Sequence, residues 1–449
     1  MAKISLFWHR RDLRSYDNAG LYHALNSGRP VLPIFIFDRE ILDKLEERDD
    51  ARVEFIHRSV TELADVYRAH GGDLRVYYGH PTEIWPKLLK EFPAADVYTN
   101  RDYEKYALER DEAVKKMAEA GDGKFHDYKD HVIFEGEEVP KNAGGPYTVF
   151  TPFKRKWLEV LDSRMDEYEG EEISYYLKPY PCEKYLDNLL PIKKPGTIPS
   201  LKEMDFEPSD IEIPDTKVAE ETIENYDKNR DYPARRGTSR LGIHFRHGTV
   251  SIRKWAKRAR ELNEVFLSEL IWRDFYSNIL QHFPYVEDRS FRPEYDGIPW
   301  INDEEAFQRW CDGRTGVPLV DAAMRELNTI GYMHNRMRML TASYLTKHLL
   351  TDWRWGEAYF GKKLLDYELA SNNGGWQWAA GCGTDAQPYF RIFNADSQQK
   401  KFDAKYEYVK NWVPEYGTDE YPQPIVEHKE GRERALRVYK ESLAEARGN

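Results

Sequence analysis

The 449-residue sequence predicts an α/β protein: an N-terminal doubly wound parallel-sheet domain over residues 1–130, then a larger, all-helical C-terminal domain over 216–449. Three observations predict it. Strand and helix patterns alternate over the first domain, as a parallel sheet with crossover helices requires. Residues 131–215 are rich in prolines, glycines and acids and read as a long interdomain connector wrapped on the surface. From 216 onward the apolar periods are helical.

The elements follow in chain order. Ile4–Trp8 reads as the first strand and Asn18–Asn26 as a short helix ended near Gly28. Val31–Phe37 is almost entirely apolar, as expected of a strand covered on both faces. Glu54–His70 is helical and Gly71-Gly72 stops it. Leu74–Tyr78, Asp96–Thr99 and Phe125–Tyr128 complete the strands, with helices over Thr82–Glu91 and Tyr106–Ala120 between them. No GxGxxG follows the first strand, which argues against a dinucleotide site there. The connector holds one expected helix, Phe153–Met165. The second domain reads as helices over 252–262, 265–281, 304–311, 319–330, 335–349, 353–365 and 366–379. Asp303 and Asp352 stand where N-caps are expected.

Composition narrows the class. Hydrophobic content of 41% and charged content of 32% fit a soluble globular chain. No apolar run approaches the roughly 20 residues a membrane span needs, and no signal-like segment opens the chain. Three scattered cysteines fit a reducing, cytoplasmic setting and no metal-ligand cluster. The net charge of -12 argues weakly against nucleic acid. Yet eleven Lys or Arg residues and a single acid, Asp231, lie between Lys228 and Arg260. Such a surplus either binds phosphates or forms a solvated helix face.

The chemistry concentrates in the helical half, which holds nine of the twelve tryptophans. In Asn372-Asn-Gly-Gly-Trp-Gln-Trp378, amides offer directed hydrogen bonds, indoles offer flat faces and glycines permit close approach. Ordered motifs span some 380 residues: Phe7-Trp-His-Arg-Arg-Asp-Leu-Arg14, Gly237-Thr-Ser-Arg-Leu241 and Leu267-Ser-Glu-Leu-Ile-Trp-Arg-Asp-Phe275. Met333-His-Asn-Arg-Met-Arg-Met339, Leu365 to Trp378 and Pro388-Tyr-Phe-Arg-Ile-Phe-Asn394 continue the order. Together they resemble the DNA photolyase/cryptochrome family, most closely its class I cyclobutane pyrimidine dimer photolyases.

The resemblance implies a cofactor, FAD, held in the helical domain and active as FADH−. Tyr226, Thr238, Ser239, Arg240, Leu241, Arg273, Arg338, Asp366, Glu368 and Asn372 match the family's cofactor-binding positions, and Glu269 and Asn335 also fall within that set. Arg338 and Asp366 match an ion pair beside the flavin ring, and Asn372 the residue facing its N5. The substrate would be a pyrimidine dimer extruded from UV-damaged DNA. Trp272 and Trp378 match its aromatic walls, Asn335, Arg336 and Met339 its contacts, and Glu269 the acid that stabilises the reduced dimer. Read alone, Trp272 and Met339 would be core residues. Trp376, Trp353 and Trp300 match a chain that carries electrons inward to reduce the cofactor in light. Arg230, Arg336, Lys400 and Lys401 are the DNA-binding candidates, although Arg230 could equally support the fold.

The implied activity is that of a monomeric deoxyribodipyrimidine photolyase, a carbon–carbon lyase, with DNA as partner and no membrane. Two alternatives stay open within the family. A blue-light receptor cryptochrome is disfavoured by Asn372 and by the short tail after Val426; a (6-4) photolyase is disfavoured by Asn335 following His334, where that type carries a histidine pair. Tyr332 stands where the dimer type often has Trp. A second, light-harvesting chromophore is also possible. Tyr103 to Asp111 aligns with the antenna-contact helix, and Ala107 stands where folate binders have a glutamate, which favours a deazaflavin or a flavin over folate.

Overall fold

The computed structural model describes residues 3–141 and 143–448. Its chain divides into two units. The first comprises Met1–Glu138, Leu158–Thr216 and Leu241–Arg258; the second comprises Val139–Trp157, Lys217–Arg240 and Ala259–Asn449.

In the first unit five parallel strands, β1 (Ser5–His9), β2 (Val31–Asp38), β3 (Arg75–Gly79), β4 (Asp96–Asn100) and β5 (Phe125–Tyr128), lie in the order β3-β2-β1-β4-β5. Four main helices connect them: α1 (Ala19–Leu25), α2 (Ala51–Ala69), α3 (Pro81–Glu91) and α4 (Lys105–Ala120). The strand order reverses between β1 and β4, which is where doubly wound sheets open a crevice at their carboxyl ends. Every residue of β2 is buried, in keeping with its unbroken apolar run. The Asn18 side chain caps α1 by accepting from the Leu21 N–H. Asp50 caps α2, so that helix begins before the expected Glu54. At its far end Gly71 takes φ +78° and the Gly72 N–H reaches back to the Tyr67 carbonyl, a Schellman closure.

The expected surface connector is instead divided and largely structured. Cys182, Leu186, Leu189, Met204 and Phe206 are buried in the first unit's core, packed with Phe7, Leu21 and Tyr67. A hairpin of β6 (Met165–Tyr168) and β7 (Glu171–Ser174) takes in Met165, where a helix end was expected. Residues 139–157 join the helical unit, and the Trp157 indole N–H donates to Asp274 at 2.9 Å.

The basic run 228–260 is likewise no single surface. Arg253 is buried against Asp17 and Asp130, both at 2.8 Å, beside a second buried pair, Arg14–Asp130 at 2.6 Å. Arg246 pairs with Glu104 and Lys257 with Glu171. These cations neutralise acids of their own unit.

The second unit is helical, through α5 (Phe150–Asp162, which runs past the unit's Trp157 limit), α6 (Ile252–Leu262, begun in the first unit), α7 (Glu264–His282), α8 (Glu304–Cys311), α9 (Pro318–Ile330), α10 (Asn335–Ser343), α11 (Trp353–Lys363), α12 (Leu369–Ala380) and α13 (Ala395–Phe402), with α14 (His428–Gly448) last. Asp303 and Asp352 cap α8 and α11 with side-chain hydrogen bonds. The helix expected over 335–349 changes at Tyr344 into one wide π turn through His348. The helix expected from Asp366 starts at Leu369, because the Asp366 and Glu368 side chains reach arginines on other helices. The three cysteines are buried and reduced, with thiol pKa values pushed up to about 12 by burial, so they are poor nucleophiles. Among the described residues no helix is long and apolar enough to cross a membrane.

Candidate cofactor and substrate site

Helix α7 carries three of the singled-out residues within five positions. Glu269 forms an ion pair with Arg230. Burial pushes its carboxyl above the usual range, against the opposing pull of the Arg230 guanidinium. Trp272, one turn on, lies flat against Phe150, with ring centroids 3.6 Å apart and planes 6° from parallel. Arg273 donates to Glu368 at 2.8 Å, joining α7 to the start of α12.

The start of α10 supplies a second group. Arg338 donates to both carboxylate oxygens of Asp366, at 2.9 and 3.1 Å, and its Nε to the Met333 carbonyl at 2.8 Å. These two side chains keep 27% and 21% exposure, although Met337, Leu340 and Leu365 around them are buried. The pair is therefore partly accessible within a densely packed region. Asn335 is exposed at the first position of the helix and Met339 is half-buried. His334 caps the helix through its ring nitrogen, and burial lowers its pKa to about 4.

On α12 the two asparagines have different tasks. Asn372 donates from its amide nitrogen to the Glu357 carboxylate at 2.9 Å and to the Glu357 carbonyl at 3.1 Å. Its amide oxygen is thereby turned the other way. Asn373 and Gln377 both donate to the Val286 carbonyl and act as a structural clamp. A Cβ on Gly374 would meet the Tyr276 ring at 2.2 Å, so that glycine admits a neighbouring tyrosine; Gly375 is exposed and open. Trp378 is half-buried. Trp376 and Trp353 are buried within one core to which Trp300 adds a partly exposed ring. The nearest rings to Trp376 include Phe360 at 5.0 Å and Trp310 at 6.0 Å.

The segment before α6 contributes less uniformly. The Thr238 hydroxyl shares a 3.0 Å hydrogen bond with the Tyr332 hydroxyl, and the Arg240 guanidinium lies 4.6 Å over the Tyr332 ring. Tyr332 is thus more than a smaller stand-in for Trp: its hydroxyl ties the loop down. Ser239 is half-buried beside it. Tyr226 is buried edge-on to Phe266, with Arg230 over its face. Leu241 is fully buried and falls in the first unit, apart from Thr238–Arg240.

The DNA-contact candidates separate. Arg230 is committed to Glu269, and Arg336 to Asp231 at 2.6 Å while stacked 3.7 Å over Phe402. Lys400 and Lys401 are exposed in the last turn of α13. Sequence reasoning missed Phe150, Glu357 and Trp310. Each acts through a partner distant in the chain, and no local pattern marks it.

A parallel-sheet unit and a helical unit that carries a partly exposed Arg–Asp pair, an oriented amide and half-buried indoles define a class: an α/β-plus-helical protein whose polar and flat groups suit a large ring cofactor. The comparisons agree. Residues 266–418 match the FAD binding domain of DNA photolyase and residues 5–171 match the DNA photolyase family. The deoxyribodipyrimidine photo-lyase of Halobacterium salinarum is 35% identical, covering 97% of this chain and 98% of its own. The crystal structure of a bacterial class III photolyase from Agrobacterium tumefaciens has TM-score 0.83 at 31% identity, over 98% of both chains. An archaeal photolyase from Sulfolobus tokodaii, solved with two FAD molecules, has TM-score 0.79 at 32% identity, over 97% of this chain and 99% of that one. The chain belongs to the DNA photolyase/cryptochrome family.

The residues present fit FAD. The cofactor's diphosphate calls for hydroxyls and cations, which Thr238, Ser239 and Arg273 supply by type. Its ring system calls for charged and polar neighbours, and the Arg338–Asp366 pair and the fixed amide of Asn372 are groups of that type.

Proposed function

We propose that this protein repairs cyclobutane pyrimidine dimers in DNA under blue or near-UV light, in the manner of class I photolyases. One observation carries the reading: on α7, Glu269 and Trp272 lie one helical turn apart and Arg273, tied to Glu368, follows at once. A dimer-facing acid and wall and a cofactor-facing cation are thereby fixed to one rigid element. Bound reduced FAD supplies the light-excited electron that opens the cyclobutane ring and is then recovered.

The chain's own residues bind, orient and shield. Trp272 and Trp378 present flat faces to an extruded pyrimidine pair, whose extrusion costs less where the lesion has already lost stacking. Glu269, its carboxyl raised by burial and held by Arg230, shares a proton or hydrogen bond with the dimer as it gains charge. Asn335 and Met339 complete the polar and apolar contacts. Asn372, its nitrogen held by Glu357, would leave its amide oxygen free to meet the bound cofactor. Arg338 and Asp366 supply the compensated charge beside it. Trp376 and Trp353 are buried and Trp300 is partly exposed, an ordering that suits a relay of electrons from surface to interior. Lys400 and Lys401 meet the phosphate backbone, a contact that positions without reading sequence. His334 is buried as a helix cap and followed by exposed Asn335, which supports the dimer lesion over the (6-4) lesion.

A second chromophore, if this chain carries one, would belong to the first unit, near the carboxyl ends of β1, β2 and β4. There Arg10 and Arg110 lie 5.1 and 4.9 Å over Trp8, and Tyr106 donates to Asp38 at 2.6 Å. Ala107 is buried, which leaves folate without its acid and favours a flavin or deazaflavin.

The test is a repair assay on DNA carrying either lesion, with FAD-loaded protein before and after chemical reduction. Light-dependent loss of cyclobutane dimers by the reduced protein is the expected result. Repair of (6-4) lesions alone would overturn the assignment.

A further inference from the structure

We propose that Phe150 is a positioning residue that sets the plane of Trp272 and so builds the stacking wall for the extruded base pair; the inference rests on the repair reading above. An indole attached through an sp³–sp² torsion has a broad χ2 well and does not hold one plane unaided. Phe150 covers one face of Trp272 at 3.6 Å and 6°. The other rings against Trp272 lie farther off and less parallel, Tyr276 at 5.4 Å and 30° and Phe275 at 5.6 Å and 80°. Phe150 is therefore the ring closest to the indole and the most nearly parallel to it.

Phe150 is itself held from three sides. Its N–H donates to the Asp385 carboxylate at 3.0 Å, and the Thr384 hydroxyl donates to the Thr148 carbonyl at 2.8 Å. These bonds fix the start of α5 to the loop after α12, the helix that carries Trp378. Phe275 meets the Phe150 ring edge-on at 5.8 Å and Trp272 edge-on at 5.6 Å. Phe150 is buried while Trp272 is only half-buried. The buried ring therefore backs the wall, and the half-buried ring meets the ligand. The Thr148–Phe150 segment, from a stretch that reads as linker, connects the supports of both walls.

The test compares binding of a dimer-containing duplex with the same duplex undamaged, using wild-type protein, Phe150→Leu and Phe150→Tyr, with FAD content measured in each. Leu fills the volume without a flat face; Tyr restores the face. The expected result is a loss of preference for damaged DNA on the order of 3–10-fold in Phe150→Leu. Undamaged-DNA affinity and FAD content should be unchanged, and Phe150→Tyr should retain the preference. Full preference in Phe150→Leu, or equal weakening on both duplexes, would overturn the inference while leaving the repair reading intact. A wild-type protein with no preference would overturn both.

Discussion

Glu269 stands between two opposed influences. Burial raises its carboxyl pKa and the Arg230 guanidinium resists the rise. Replacing it with Gln keeps the shape and removes the shared proton. Repair yield per absorbed photon should fall roughly tenfold, the value of one charge-assisted hydrogen bond, with FAD content unchanged; selective loss of FAD would contradict its role. His334 carries a different consequence. Its pKa is lowered to about 4 in the folded chain, whereas the unfolded chain titrates at 6.5. Between those values the unfolded state binds more protons, so stability is complete above pH 6.5 and declines as pH falls toward 4. The loss is on the order of 3 kcal/mol. Denaturant midpoints measured across that range should show the slope, and His334→Asn, which can still cap, should remove its share. At this scale the sequence was legible where the chemistry is intrinsic to the residue, as with the cap-forming Asp303 and Asp352; the pairing of Arg338 with Asp366 came from the family resemblance and is present in the fold. It was not legible where the partner is set by tertiary contact, as with Glu357, which decides which end of the Asn372 amide faces the site.

Among the elements, the crossing of α11 and α12 depends on a missing side chain. A Cβ on Gly356 would lie 2.0 Å from the Trp376 ring and 2.7 Å from Leu345. Gly356→Ala should therefore cost about 1–3 kcal/mol through overpacking, visible as a lower melting temperature. Gly375→Ala, where the Cβ meets nothing, should gain up to about 1 kcal/mol from helix propensity. Equal effects at both positions would mean that the helices are not packed through Gly356. The strands and most helices could be read from periodicity because each is an apolar stripe or run with its own caps. The connector could not. Its prolines and glycines signal loop, but Cys182, Leu186 and Phe206 are core, and Phe150 stacks on a tryptophan 122 positions later in the chain. Such contacts leave no local period. The late start of α12 has a similar cause: Asp366 and Glu368 are drawn to Arg338 and Arg273 before the helix can include them.

At the scale of the whole molecule, the concentrated basic run misleads. Counted along the chain it is a patch; in the fold, Arg253 is buried in an ion network and Arg230, Arg246 and Lys257 each pair with an acid. Net charge and charge runs speak to long-range attraction, not to which cation meets a phosphate. What unifies the helical unit is the placement of charged pairs and flat rings on α7, α10 and α12. The most direct test of that account is the emission lifetime of bound, reduced FAD, measured with undamaged DNA and with DNA carrying one cyclobutane dimer. The proposed electron donation to the dimer predicts a lifetime clearly shortened by the dimer alone. A lifetime indifferent to a bound dimer would contradict it.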